Sequence, residues 1–182
     1  MTATQAPERR RTVIRLVLGG VVLAIAAMWV YVLFIAQPVS PNRFEDTAWA
    51  QRAEPVCAAV AAELEALPPA RSFAAIEPVE EALRQRADVG EQATDLLAEQ
   101  VARLRSLPTP EGDADGELLQ TWLADWDTYL SDRRDHIEGW RAGSDAPFAE
   151  TEAPTGGPIA NRMDALAKEN GMPSCVVPLD FG

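Results

Sequence analysis

One histidine, two cysteines and a run of alternating acids are the residues of this chain whose types and spacing suggest chemistry. His136 follows Asp132 by four positions, which puts both on one face of a helix and would let the carboxylate orient the imidazole as a general base. No serine or cysteine in a nucleophile motif accompanies the pair, and a histidine one turn from an acid is commonly a satisfied polar contact beside the core. Glu111-Gly112-Asp113-Ala114-Asp115-Gly116-Glu117 alternates oxygen donors with glycine as part of a calcium loop does. Counted from Glu111, however, Trp122 falls where the bidentate glutamate of such a loop belongs. The run therefore reads better as a solvated turn in which Asp115 or a neighbour caps the following helix. Trp122, Trp126 and Trp140 recur at helical spacing and are candidate aromatics for a pocket or a partner surface, with a place in the core as the stronger expectation. No phosphate-binding glycine loop, metal-ligand cluster or hydrolase motif is present. No catalytic, metal-ligating or cofactor-binding residue is assigned, and no cofactor is expected.

These residues are positioned by a chain that divides sharply in two. Leu16 to Ala36 is a stretch of 21 residues without charge or proline, and as a helix it would extend roughly 30 Å, the thickness of a bilayer's hydrocarbon core. Arg9, Arg10, Arg11 and Arg15 precede it, whereas its far flank offers Arg43 beside Glu45 and Asp46. This imbalance places the N-terminus in the cytoplasm and everything after the span outside. The expected divisions are a cytoplasmic tail (1–12), a transmembrane helix (13–36), an exit linker (37–54) and an extracytoplasmic helical domain (55–182), in a single-pass protein of the cell membrane. A cleaved signal peptide is the rival, since Ala24-Ile25-Ala26 offers a small-residue cleavage site. Cleavage there would leave ten exposed apolar residues, which favours a signal anchor. Gly20, Ala24 and Ala27 share one face of the span and would let two copies approach closely, a candidate homo-oligomer contact. Residues 16–36 otherwise face lipid.

Beyond the span, Gln37-Pro38-Val39-Ser40-Pro41-Asn42 ends the helix, because two prolines cannot continue it. Four helical segments follow, with no run of alternating β-branched residues. The first carries Trp49, Ala53, Val56, Cys57, Val60, Leu64 and Leu67 on one face. Pro55 either starts or kinks it, and a start is expected because proline in the first turn removes no needed donor. The second follows Ser72, with Ile76, Val79, Leu83, Ala87, Gly90, Ala93, Leu97, Val101, Leu104 and Leu107 inward. The third runs from about Asp115 to Trp140 through Leu119, Trp122, Leu123, Trp126, Leu130 and Ile137, and the last from Pro158 to Glu169 ends at the Asn170-Gly171 cap pair. The expected fold is all-α, a single transmembrane helix followed by an irregular up-and-down bundle of about four helices. Cys57 and Cys175 both fall after the span, one near each end of the domain, on a side where disulfides persist, and are expected to be bridged.

Four of the sixteen basic residues and one of the 28 acids precede the span, so the outer part carries 12 against 27 and a formal charge of −15. Such a surface repels nucleic acid and anionic headgroups and leaves basic ligands, cationic partners or divalent ions allowed. The segments Trp49-Ala50-Gln51-Arg52-Ala53-Glu54-Pro55-Val56-Cys57 and Trp122-Leu123-Ala124-Asp125-Trp126, with Tyr129 and Arg133, and the tail Asn170-Gly171-Met172-Pro173-Ser174-Cys175, resemble a set of actinobacterial single-pass membrane proteins with an extracytoplasmic helical domain. That resemblance implies the topology and the cysteine pairing and carries no activity. The expected function is a non-enzymatic envelope protein that binds a partner protein or ligand outside the membrane. The alternative is an extracytoplasmic hydrolase or metal-dependent enzyme, and a sensor would have to signal through another protein.

Overall fold

The computed structural model describes residues 6–34, 40–73 and 75–180 and separates into two compact units, Met1–Ser40 and Pro41–Gly182. In the first, α1 runs from Ala6 to Phe34. The helix thus begins within the expected tail, because nothing between Ala6 and the span breaks it and Pro7 stands in its first turn, where proline is tolerated. Thr12–Leu33 is long and apolar enough to cross a membrane. Its apolar side chains are exposed, Leu16 and Leu23 at 72%. The prolyl exit at 37–39 lies outside the described residues.

The second unit holds four helices, α2 (Thr47–Glu65), α3 (Val79–Ser106), α4 (Asp113–Arg141) and α5 (Ile159–Glu169), with short 3-10 turns at Ala70–Phe73 and Pro173–Cys175. Among the described residues there is no strand, only an isolated bridge from Glu152 to Pro158. The helix α2 starts eight residues before Pro55, so Thr47 to Glu54 belong to the helix and not to a linker. Asp46 supplies the cap, accepting the Ala48 N–H at 2.9 Å, and Trp49, Ala50 and Ala53 are buried. That burial outweighs the roughly 3 kcal/mol cost of an internal proline, and both Pro55 and Gln51, whose carbonyl loses its partner, are exposed to water. At the start of α3 the order is reversed. Pro78 stands at the N-cap, and the residue before a proline is driven out of helical geometry, so Ile76 precedes the helix and Val79 is 53% exposed.

Pairs between α3 and α4 rise in number on one helix as they fall on the other: Glu91 with Arg141, Thr94 with Arg133, Arg105 with Asp127. The two helices are therefore antiparallel, as the short turn joining them requires. The core is strung on aromatic rings. Phe44, Trp49, Trp122, Trp126, Tyr129 and Phe148 form a continuous series of edge-to-face contacts at 5.5, 6.2, 6.1, 6.0 and 5.9 Å between centroids, the geometry that places the positive edge of one ring on the negative face of the next. A smaller cluster of Ala70, Leu83, Ala87, Ile137 and Trp140 closes the other end of the α3–α4 pair, with the Arg86 guanidinium 4.6 Å above Trp140. Cys57 and Cys175 are bonded and fully buried, tying α2 to the segment after α5. Asn170 donates to the Asn42 carbonyl and accepts from the Phe44 N–H, and Gly171 takes φ +69°, so the expected cap pair also fastens the start of the domain.

Candidate functional site

Asp132, His136, Asp115 and the two cysteines are each engaged by a structural partner. Asp132 accepts the backbone N–H and hydroxyl of Thr151 at 2.7 and 2.9 Å, fixing the loop between α4 and α5. His136, on the same helix, lies with its ring 4.4 Å from Trp140 and 5.3 Å from Phe148. Burial lowers its pKa, helped by the positive charges of Arg86 and Arg133, which favours the neutral ring. In the acidic run, Asp115 faces inward and accepts the N–H groups of Glu45 and Asp46 at 3.1 and 2.8 Å. It caps the approach to α2 instead of its own helix. Asp46 in turn accepts the Glu111 N–H at 3.3 Å. Among the described residues no group of three or more His, Cys, Asp or Glu is placed to hold a metal ion.

Trp122, Trp126 and Trp140 are 1%, 0% and 1% exposed. They are core side chains, the stronger of the two expectations for them. The reason is their register on α4, which turns them toward Trp49, Met163 and the small cluster around Ala87. Trp122 Nε1 donates to the Met163 carbonyl at 3.1 Å.

The group that stands out is Arg133, a guanidinium that is wholly buried. A buried charge persists only when its donors are matched. Arg133 Nε donates to Thr94 Oγ1 at 3.0 Å, while the Thr94 hydroxyl passes its own proton to the Gly90 carbonyl at 2.7 Å. Nη1 reaches the Tyr129 hydroxyl at 3.4 Å, and the two Nη atoms grip the Asp180 carboxylate at 2.7 and 2.6 Å. This is the fork-to-fork geometry in which guanidinium and carboxylate make two parallel, charge-assisted bonds. Burial pushes the Tyr129 hydroxyl up to about 12, against the pull of Arg133, so it is a neutral hydrogen-bonding group at physiological pH. The arrangement holds an anion, and the two hydroxyls beside it, of Thr94 and Tyr129, are occupied as hydrogen-bonding groups.

The sequence carried a signal for Arg133. The apolar face of α4 skips from Leu130 to Ile137, and the position three residues after Leu130, which must also point inward, is the arginine. A second buried acid, Asp125, pairs with Arg162 of α5, whose Nε lies 2.8 Å from Oδ2.

Grooves open along the segment that follows the disulfide. One of about 510 Å³ is walled by Tyr129, Pro147, Phe148, Pro158, Pro178 and Leu179, with Glu150 and Asp164 among its polar lining. Leu179 projects into solvent, 90% exposed. Compared with known protein families, curated proteins and solved structures, the chain has no match.

Proposed function

We propose that the chain is a membrane-anchored, non-enzymatic binding protein whose helical domain lies outside the cell membrane and whose groove receives a basic, extended segment of an envelope protein. The groove carries this reading: rings and prolines offer flat apolar walls to an extended backbone, the pattern of surfaces that take extended peptides. Glu150, whose described bond is to the Ala160 N–H alone, keeps a negative charge there that favours a cationic residue, while Asp164 is already paired with Lys168. The formal charge of −15 beyond the span attracts the same class of partner. The span, the arginines before it and the buried disulfide support an anchor with the domain on the oxidising side, as does the likeness to actinobacterial single-pass proteins. The alternative of a hidden hydrolase or metalloenzyme loses ground because His136, Asp132, Asp115 and both cysteines are engaged structurally.

A photocrosslinking amino acid in place of Leu179 tests the groove in intact cells. The expected adduct maps to a basic, extended segment of an extracytoplasmic protein and is lost when Asn161, an exposed groove residue, is changed to arginine. Adducts confined to lipid or to the same chain, or indifferent to Asn161→Arg, would overturn the reading.

A further inference from the structure

Arg133 is held from behind by residues of helices and from in front by something less secure. Thr94 of α3 and Tyr129 of α4 fix Nε and Nη1, and the Tyr129 ring lies 5.7 Å from the guanidinium carbon, so the fork is set whether or not a carboxylate occupies it. The carboxylate comes from Asp180, in a segment beyond the disulfide that lies outside any helix. As far as Val177 the segment is anchored, with Val177 buried in the core, Val176 packed against it and the Val177 N–H donating to Asp164 at 2.8 Å; beyond it Leu179 is 90% exposed and the Asp180 side chain 23% exposed.

Asp180 also lies between two hollows. One, of about 250 Å³, is walled by Leu64, Leu67, Pro69, Gly90 and Ala93, the small residues of α3 leaving room that larger ones would fill. The other, of about 450 Å³, is walled by Leu97, Val176 and Pro178. Glu65, exposed, borders both. A preset cationic fork, a carboxylate three residues beyond the last buried anchor of its segment, and apolar space beside it are the parts of a receptor for a small acid.

We propose that Arg133, Thr94 and Tyr129 form a carboxylate-binding site that the chain's own Asp180 occupies, and that its external ligand is a small monocarboxylate with a compact apolar body. Uptake exchanges one carboxylate for another on the same guanidinium, so the buried cation is matched before and after. The apolar body enters the hollow lined by Gly90 and Ala93. Asp180 acts as a tethered competitor, and the affinity for an outside acid is lowered by the effective concentration of the tether. Tyr129, Pro178 and Leu179 also border the groove for a basic partner, but the titration below reads the guanidinium fork alone, so its failure leaves that reading untouched.

The test uses the full chain in detergent micelles with sodium butyrate as the probe, read by calorimetric titration. Asp180→Asn should bind butyrate saturably and at least about tenfold more tightly than the unaltered chain, the gain expected when an intramolecular competitor is removed. Arg133→Met in the Asp180→Asn background should abolish binding, and 1-butanol should not bind. Equal affinity with and without Asp180, no saturable binding, binding that survives Arg133→Met, or preferential binding of inorganic phosphate would each overturn the proposal. Should Asp180→Asn fail to fold, a trifluoromethyl-phenylalanine placed at Leu179 in the otherwise unaltered chain decides. Saturating butyrate should produce a second fluorine resonance from the displaced segment, and an unchanged spectrum would overturn the proposal.

Discussion

Two tryptophans one turn apart on α4 differ in a single hydrogen bond, and that difference can be measured. Trp122 and Trp126 are both fully buried and pack edge to face at 6.1 Å. Trp122 Nε1 donates to the Met163 carbonyl, whereas Trp126 Nε1 finds no acceptor among the described residues. Substituting phenylalanine removes similar volume from either site, so the packing losses largely cancel in the comparison. Trp122→Phe also forfeits a hydrogen bond worth about 1 kcal/mol, while Trp126→Phe relieves an unpaired buried N–H that costs about 1–3 kcal/mol. Trp126→Phe should therefore be milder by on the order of 2 kcal/mol. The assay is urea unfolding of residues 43–182, produced in an oxidising compartment and followed by far-ultraviolet circular dichroism. With a urea dependence of about 1–3 kcal/mol per molar, the two midpoints should separate by roughly 1 M. Trp126→Ala, which empties the centre of the ring series, should cost about 3–5 kcal/mol. If Trp126→Phe proves as costly as Trp122→Phe, the assigned bonding of the two indoles is wrong. If Trp126→Ala leaves stability intact while abolishing binding to a partner, the tryptophans are a recognition surface after all.

Cys175→Ser should lower the melting temperature by on the order of 10–20 °C with helicity retained, since the bridge spans 118 residues, for which loop-closure entropy amounts to about 4–5 kcal/mol. Two free thiols in protein isolated without reductant would refute the bridge. Tyr129 is the single tyrosine of residues 43–182, so absorbance at the tyrosinate band reports it alone. Its midpoint should lie at about 12 instead of 10; the unfolded chain releases this proton earlier, so stability should fall as the pH rises above 10, and a midpoint at 10 would contradict the burial. His136 has the opposite pH window. Its folded pKa lies below the ordinary 6.5, so its contribution is full above that pH and declines below it as the unfolded chain takes up the proton first. His136→Phe should flatten stability measured between pH 7.5 and 5, and an unchanged slope would place the histidine outside that linkage.

Much of this architecture is local, and local order is legible in a sequence. The span is written in a continuous apolar run, and the inward faces of α3, α4 and α5 in spacings of three and four, because a helix face depends only on neighbours a turn away. The pairing of Cys57 with Cys175 needed no geometry, since two cysteines have one way to pair. Tertiary packing decided the rest. Whether Pro55 begins or interrupts α2 turned on the burial of Trp49, Ala50 and Ala53, which repays a backbone defect that local propensity alone forbids. Asp115 looks like a cap for its own helix, yet serves Glu45 and Asp46, 70 and 69 residues away. Arg133 and Asp180, 47 residues apart, carry no mark of each other along the chain. A buried charge can be matched by any opposite charge that folding brings within about 3 Å, and only the assembled fold selects which one.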